Sequence, residues 1–367
     1  MMDFIPQIEP WIDEGELIEL KKVIDSTFVT EHSMTEEFED RIKQLTGAKY
    51  AVSVTNGTAA LFCCLKAAGV GQGDEVIVPN ITFVATANAV ILAGGTPIFC
   101  EIDSKTLCID PEKIISCITP RTKAIMPVHL YGQSADMESL CAVAKAHDLI
   151  IIEDAAQGVG VRFNEKHVGT FGDMGILSFY GNKTITCGEG GVILTNSKAL
   201  RDRCYRLKNH GRLVKGTFKH DCIGYNFSFT EMQAAVGVSQ LKKLPSIIER
   251  KQQIHDTYNS ALSEIREQLV PIFLDKRSTP VWWFTSFLTN QKKELKRHLL
   301  SRGIQTRDFF YPLHMQPCYR DFNVKGDFSL SEEIYEKGIS LPSSYGLPDS
   351  SQQYIIDSIL EFYRSKA

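Results

Sequence analysis

Seven short apolar runs lie between residues 51 and 194, and none of them alternates polar with apolar positions: Ala51–Val54, Glu75–Val78, Pro97–Phe99, Ala124–Val128, Leu149–Glu153, Gly175–Phe179 and Gly191–Leu194. A strand with one face in water shows a period of two. An unbroken apolar strand is covered on both faces, as in a mostly parallel sheet flanked by helices. Between the runs, Thr58–Ala68, Thr82–Leu92 and Ser134–Ala146 read as crossover helices. Asp110-Pro111-Glu112 marks another helix start, an acid at the cap followed by proline in the first turn. The expected fold class is α/β, with a seven-stranded, mostly parallel sheet in a large domain.

Beyond Thr195 the pattern becomes helical, over Lys198–Leu207 and Thr230–Leu241, then along a charged helix from Pro245 to about Glu264. Glu249, Arg250, Lys251 and His255 are expected on the polar side of that last helix, which is placed to bridge two domains. A smaller α+β unit follows from Val281. Its expected elements are a strand over Trp282–Thr289, a helix over Lys292–Arg302, a strand over Ile304–Phe310, and helices near Ser329–Lys337 and Ser351–Arg364. A chain of 367 residues fits two domains, here 1–245 and 246–367.

Composition narrows the function classes. Forty basic against 44 acidic residues give a net charge of −4, which excludes a strongly basic nucleic-acid binder. No apolar stretch reaches membrane-spanning length, and the N-terminus lacks a basic segment followed by an apolar one. The expectation is a soluble, cytoplasmic protein that engages neither membrane nor nucleic acid. The ten cysteines form no C-x-x-C pairs, so no metal site is expected, and they read as buried thiols of a reducing compartment.

The chemistry concentrates on Lys183, within Ser178-Phe-Tyr-Gly-Asn-Lys-Thr-Ile-Thr-Cys-Gly-Glu-Gly-Gly191. A lysine just past a buried strand suits Schiff-base chemistry, because a partly desolvated pocket penalises the ammonium form and frees the amine near neutral pH. Upstream, Ile150-Ile-Ile-Glu-Asp154 is an apolar strand with an acid at its tip. A carboxylate there is suited to a pyridinium nitrogen, the usual protein partner of pyridoxal 5′-phosphate (PLP). Several weaker signals accompany the pair, and each has a plain structural reading beside the functional one. Gly57 and Thr58 open a helix after a strand, either as a phosphate site on freed N–H groups or as a simple cap. Phe83 suits stacking on a ring or packing in a core. Gln157 lies three residues past Asp154, in reach of a ring hydroxyl or merely at the surface. Ser178 is near enough to Lys183 to serve a phosphate, and Asn226 sits in a polar loop before a helix, where it suits a cap.

The order of these segments resembles the DegT/DnrJ/EryC1/StrS family of nucleotide-sugar aminotransferases. The resemblance spans nearly the whole chain and includes Val54–Leu61, Gly73–Pro79, Pro127–Gly132, Glu153–Gln157, Gly169–Asp173 and the lysine segment. It implies the PLP-dependent transferase fold type I (aspartate aminotransferase-like), with a large domain and a smaller α+β C-terminal domain. It implies that Lys183 carries the cofactor and shuttles a proton, that Asp154 pairs with the ring nitrogen, and that Gln157 meets the ring hydroxyl. Phe83 would stack on the ring, and Gly57, Thr58 and Ser178 would hold the phosphate. Asn226 would reach in from a neighbouring subunit, which implies a homodimer with shared sites. The implied reaction moves an amino group from L-glutamate to a nucleotide-linked keto sugar. Relatives that act as dehydratases carry histidine in place of the lysine. Arg307–Tyr319 and Gly181–Thr186 resemble GDP-perosamine synthases, which favours C4 of a GDP-linked 4-keto-6-deoxyhexose and leaves UDP- or dTDP-linked sugars, or a 3-keto sugar, as alternatives. In the same stretch Tyr311 and His314 are candidate sugar contacts, and His210 is another.

Overall fold

The computed structural model describes residues 4–214, 216–322 and 325–365. All seven apolar runs are strands of one sheet: β1 (Tyr50–Val54), β2 (Glu75–Pro79), β3 (Thr96–Cys100), β4 (Thr122–Ile125), β5 (Ile150–Asp154), β6 (Met174–Ser178) and β7 (Gly191–Thr195). Their spatial order is β1-β7-β6-β5-β4-β2-β3. β7 runs antiparallel to both neighbours and the remaining pairs are parallel.

The missing alternation has a direct cause. Successive side chains of a strand point to opposite faces, and here each face meets its own core. Ile77, Ile125, Ile151, Leu177 and Val192 face one cluster, with α2 (Ser33–Thr46), α6 (Met137–Ala146) and the first half of α8 (Glu231–Ala261). Val76, Val78, Met126, Ile152, Ile176 and Ile193 face the other, beneath α3 (Gly57–Ala67), α4 (Ala85–Ala93) and α7 (Lys198–Lys208). A helix also begins at Pro111, where the Asp110 side chain accepts the N–H of Glu112.

A third cluster forms the small α+β unit. It joins the second half of α8 to α9 (Lys292–Ser301) and α11 (Asp349–Arg364) over a four-stranded antiparallel sheet. That sheet is built from Val270–Pro271, Thr285–Leu288, Gly338–Leu341 and Arg307–Asp308. Ile5 joins the same core and bridges Ile304, so this N-terminal segment packs on the small unit.

Several local expectations change. The two helices expected on either side of Pro245 are one helix of 31 residues. An interior proline costs about 3 kcal/mol, and continuity is kept because Leu244, Ile247, Ile254 and Tyr258 are all buried along it, each contributing roughly 1.5–3 kcal/mol. Lys251 and His255, expected on the polar side, are buried. The strands expected over 282–289 and 304–310 shorten to Thr285–Leu288 and Arg307–Asp308. Helices α1 (Glu14–Ser26) and α2 and strand Gly338–Leu341 had no counterpart in the sequence reading. All ten thiols are free, but Cys222 and Cys318 are exposed. Among the described residues, no helix is long and apolar enough to cross a membrane.

Candidate active site

A cavity of about 760 Å³ opens where β5 and β6 end, against the N-terminus of α3. The small unit closes its far side with Trp283, Arg307 and Phe310. Ligand sites of open α/β sheets favour this position, beyond the carboxyl ends of the strands.

Lys183 occupies a turn after β6, where its N–H donates to the Tyr180 carbonyl at 2.9 Å. The Lys183 side chain faces the cavity, so it is half-buried by surface yet enclosed by protein. Its Nζ lies 4.2 Å from the centre of the Trp283 ring. Trp283 is itself fixed by its Nε1–H, which donates to the Asn182 carbonyl at 2.6 Å. Burial lowers the amine to about 8; the Asp154 charge opposes that shift and the Arg307 charge adds to it.

Asp154 is the last residue of β5 and is 4% exposed. Burial raises its carboxyl above the ordinary range, against the hydrogen bonds and positive charges around it. The Thr86 hydroxyl donates to Oδ2 at 2.8 Å, and the Ala156 N–H donates to Oδ1 at 3.1 Å. No cation among the described residues is paired with this carboxylate; Lys183 and His129 act on it only through their charge. The neighbouring acid, Glu153, points to the opposite face. There it accepts N–H groups of Gly169, Phe171 and Gly172 at 2.6, 2.6 and 2.7 Å and lies 3.0 Å from His129 Nε2. Glu153 is saturated, whereas Asp154 faces the void.

The opposite wall is an anion cradle. Asn56 caps α3 by accepting the Ala59 N–H at 2.9 Å, which leaves the Gly57 and Thr58 N–H groups at the free end of the helix. Gly57 is the first residue of α3 and packs against β6. A Cβ there would stand 3.1 Å from the Ser178 Cβ and 3.2 Å from its Oγ, so glycine is needed for close approach to β6. Gln157 is held by its amide oxygen, which accepts the Tyr131 N–H at 2.8 Å, so its NH₂ end remains as the donor. Phe83 precedes α4 instead of opening it and is 55% exposed, tilted toward Phe310.

Seven expected residues therefore line one cavity: Lys183, Asp154, Gln157, Ser178, Gly57, Thr58 and Phe83. Asn226, His210, Tyr311 and His314 are not part of its lining. Asn226 is exposed, and its side chain accepts the Ser228 N–H at 3.4 Å. His210 is exposed with φ of 54°, and its carbonyl lies 2.6 Å from His220 Nδ1. Tyr311 packs edge-on against Tyr335. His314 lies within hydrogen-bond distance of Asn80 and Glu332 and stacks on Phe328. Thr86, Trp283 and Arg307 at or beside the cavity were not singled out as site residues. Only the aromatic, proline-bounded character of the 307–319 stretch hinted at the last of them.

A lowered amine opposite a buried carboxylate, with a helix terminus able to take an anion, defines an α/β enzyme whose chemistry runs through a lysine. The chain belongs to the DegT/DnrJ/EryC1/StrS aminotransferase family, whose model matches residues 10–360. Similar proteins include the GDP-perosamine synthase of Escherichia coli O157:H7, 39% identical over the full length of both chains. The crystal structure of S. venezuelae DesV in complex with a ketimine intermediate has a TM-score of 0.93 at 32% identity, covering 98% of this chain and 99% of that one. NtdA from Bacillus subtilis, solved with bound cofactor PMP, has a TM-score of 0.92 at 28% identity, covering 99% of this chain and 86% of that one. These neighbours share the fold type I architecture described above.

Proposed function

We propose that this chain is a PLP-dependent aminotransferase that moves an amino group from L-glutamate to a nucleotide-linked keto sugar. C4 of a GDP-linked 4-keto-6-deoxyhexose is the favoured acceptor, in the biosynthesis of a surface polysaccharide or glycan. The observation that carries this reading is the common cavity of Lys183 and Asp154. The 39% identity to a GDP-perosamine synthase supports the choice of GDP.

The residues present fit the cofactor. Asp154 is a buried carboxylate in need of a cation, and a protonated pyridine nitrogen supplies one. Gly57 and Thr58 at the helix end, with Ser178 packed against Gly57, form a phosphate cradle of uncharged donors. Bound PLP supplies an aldehyde carbon that receives the amino group and a ring that withdraws electrons from it. Lys183, whose amine burial lowers to about 8, would hold the cofactor covalently at rest. As a free amine, its Nζ would take the proton from the donor α-carbon and later return one, acting as base and then acid. Gln157 would offer its NH₂ to the ring hydroxyl, and Phe83 would cover the ring.

We infer a homodimer in which Asn226 reaches the partner's cavity. Asn226 is exposed, and the same loop exposes Phe218 (92%) and Ile223 (84%), which is unfavourable unless another surface covers them. His210, Tyr311 and His314 are retained as sugar contacts, of which His210 lies nearest that loop in sequence. We also propose two domains, 1–245 and 246–367; the small core of the C-terminal part supports the division, and α8 runs across its boundary. The cytoplasm is the inferred compartment.

The test is to add L-glutamate to the PLP-loaded protein and follow the absorbance change to pyridoxamine phosphate. GDP-, UDP- and dTDP-linked keto sugars are then screened by mass spectrometry. An unchanged cofactor spectrum in glutamate overturns the reading.

A further inference from the structure

Two buried hydroxyls stand in line behind Asp154. Thr86, in the first turn of α4, is fully buried and donates to Asp154 Oδ2 at 2.8 Å. Thr82, 2% exposed and part of the cavity lining, lies 3.1 Å from the Thr86 hydroxyl. A buried threonine of a helix ordinarily returns its hydroxyl to a carbonyl three or four residues back. Thr86 gives it instead to the tip of β5, and that fixes the direction of both bonds. An ionised carboxylate only accepts, so Thr86 donates to it and Thr82 donates to Thr86. The chain runs from Thr82 to Thr86 to Asp154, each bond polarising the next.

The carboxylate depends on such support. Burial disfavours its charge, and the Thr86 bond is the largest of the effects that oppose burial, ahead of the Ala156 N–H and the charges of Lys183 and His129. Thr86 approaches from α4, Lys183 from the turn after β6 and His129 from the segment after β4. Glu153 is turned to the opposite face and saturated there. Lys183 is lowered to about 8 and works as a neutral amine, so its charge is absent when it acts as a base. The Thr86 hydroxyl is present at every pH. Oδ2 takes Thr86 and Oδ1 takes the Ala156 N–H, which leaves each oxygen a lone pair for a donor in the cavity.

We propose that Thr86, backed by Thr82, is the positioning residue that keeps Asp154 ionised and turned toward the cofactor's ring nitrogen. This rests on the transaminase reading above. The same short segment places Phe83 in the cavity lining, so residues 82–86 supply both an aromatic wall and the support of the acid.

Thr86→Val keeps the shape of the side chain and removes the hydroxyl, and Thr86→Ser restores it. Pyridoxamine phosphate forms no bond to Lys183, so its titration into cofactor-free full-length protein reads the grip on the ring apart from turnover. Thr86→Val should bind it about tenfold more weakly at neutral pH. A carboxyl without its donor takes up a proton earlier on acidification, so the acid limb of the binding profile should move about one pH unit higher. Thr86→Ser should stay within about twofold of the wild type, and Thr82→Val should lose about threefold. In single-turnover reaction with glutamate, the saturating rate of Thr86→Val should fall about tenfold while the half-saturating concentration changes less than about twofold. Thr86→Ala serves if Thr86→Val does not fold. Carbon-13 NMR of the aspartate carboxyls, with Asp154 assigned by its loss in Asp154→Asn, should show that carboxyl titrating about one pH unit higher in Thr86→Val even without cofactor. An acid limb and a carboxyl titration that stay in place, or equal losses in Thr86→Val and Thr86→Ser, would overturn the proposal. If the wild type binds no pyridoxamine phosphate and takes no amino group from glutamate, the transaminase reading fails, and the carboxyl titration still decides whether Thr86 governs Asp154.

Discussion

Two lysines in this molecule are shifted alike, and only one faces a cavity. Burial lowers both Lys183 and Lys251 to about 8. Lys251, 4% exposed on α8, donates to the carbonyls of Trp283 at 3.1 Å and Ser343 at 3.0 Å and is packed on all sides. Lys183 has an empty volume before it and a buried acid aimed into that volume. Trp283 belongs to both settings: its carbonyl accepts from one lysine and its indole faces the other. A lowered amine by itself reports desolvation. It becomes a candidate catalyst only where there is also room for a reactant and a counter-charge to orient one.

This contrast can be broken in order of effect. Lys183→Ala should reduce turnover by about 10³-fold or more, since base catalysis alone supplies roughly 10²–10⁴; a steady-state assay with glutamate and keto sugar reads it, and substantial residual turnover would erase the distinction. Asp154→Asn should lower turnover by about 10²-fold, because an amide does not hold the ring nitrogen protonated; the bound cofactor's absorbance should shift with it. The rate at which apoprotein captures PLP should rise about tenfold per pH unit up to about 8 and then level off, as Lys183 loses its proton. Lys251→Met should leave turnover within a few-fold while lowering stability by about 1–3 kcal/mol through two carbonyls left without a donor, as read by urea unfolding. The sign of the pH effect follows from linkage. Lys251 is about 8 in the folded protein and ordinarily 10.5, so between those values the unfolded chain binds the extra proton and stability rises with pH. Lys251→Met should flatten that rise.

The large sheet was legible because each strand is packed on both faces, which writes burial into every consecutive residue. The small sheet was legible only in part: strands were expected around Thr285–Leu288 and Arg307–Asp308 but drawn too long, and Val270–Pro271 was missed, because pairings of two residues are too short to carry a period. Pro245 disguised one helix as two. α1 escaped notice because Leu17, Ile18 and Ile24 are exposed on it, blurring the apolar stripe. At the cavity, Asp154 and Lys183 could be located because each follows or ends a readable strand. Trp283 and Arg307 reach the same cavity from about a hundred residues further along the chain. Only the docking of the small unit on the large one brings them there, and the one local trace of it is the aromatic, proline-bounded character of the 307–319 stretch. Lys251 shows the converse, since its neighbours Glu249 and Arg250 give it the look of a solvated position.

Glu153 and Asp154 are consecutive, yet one anchors the 169–172 turn and the other opens on the cavity. Inserting one residue between Ile150 and Glu153 would bring Glu153 to the cavity-facing position, and deleting one would turn Asp154 toward the 169–172 amides. The longer acid would then intrude into the cofactor's space, and the shorter one would fall a methylene short of the amides it has to gather. Length at this strand end is thus as binding a constraint as chemistry, and frame-preserving indels here should be purged even where conservative substitutions survive.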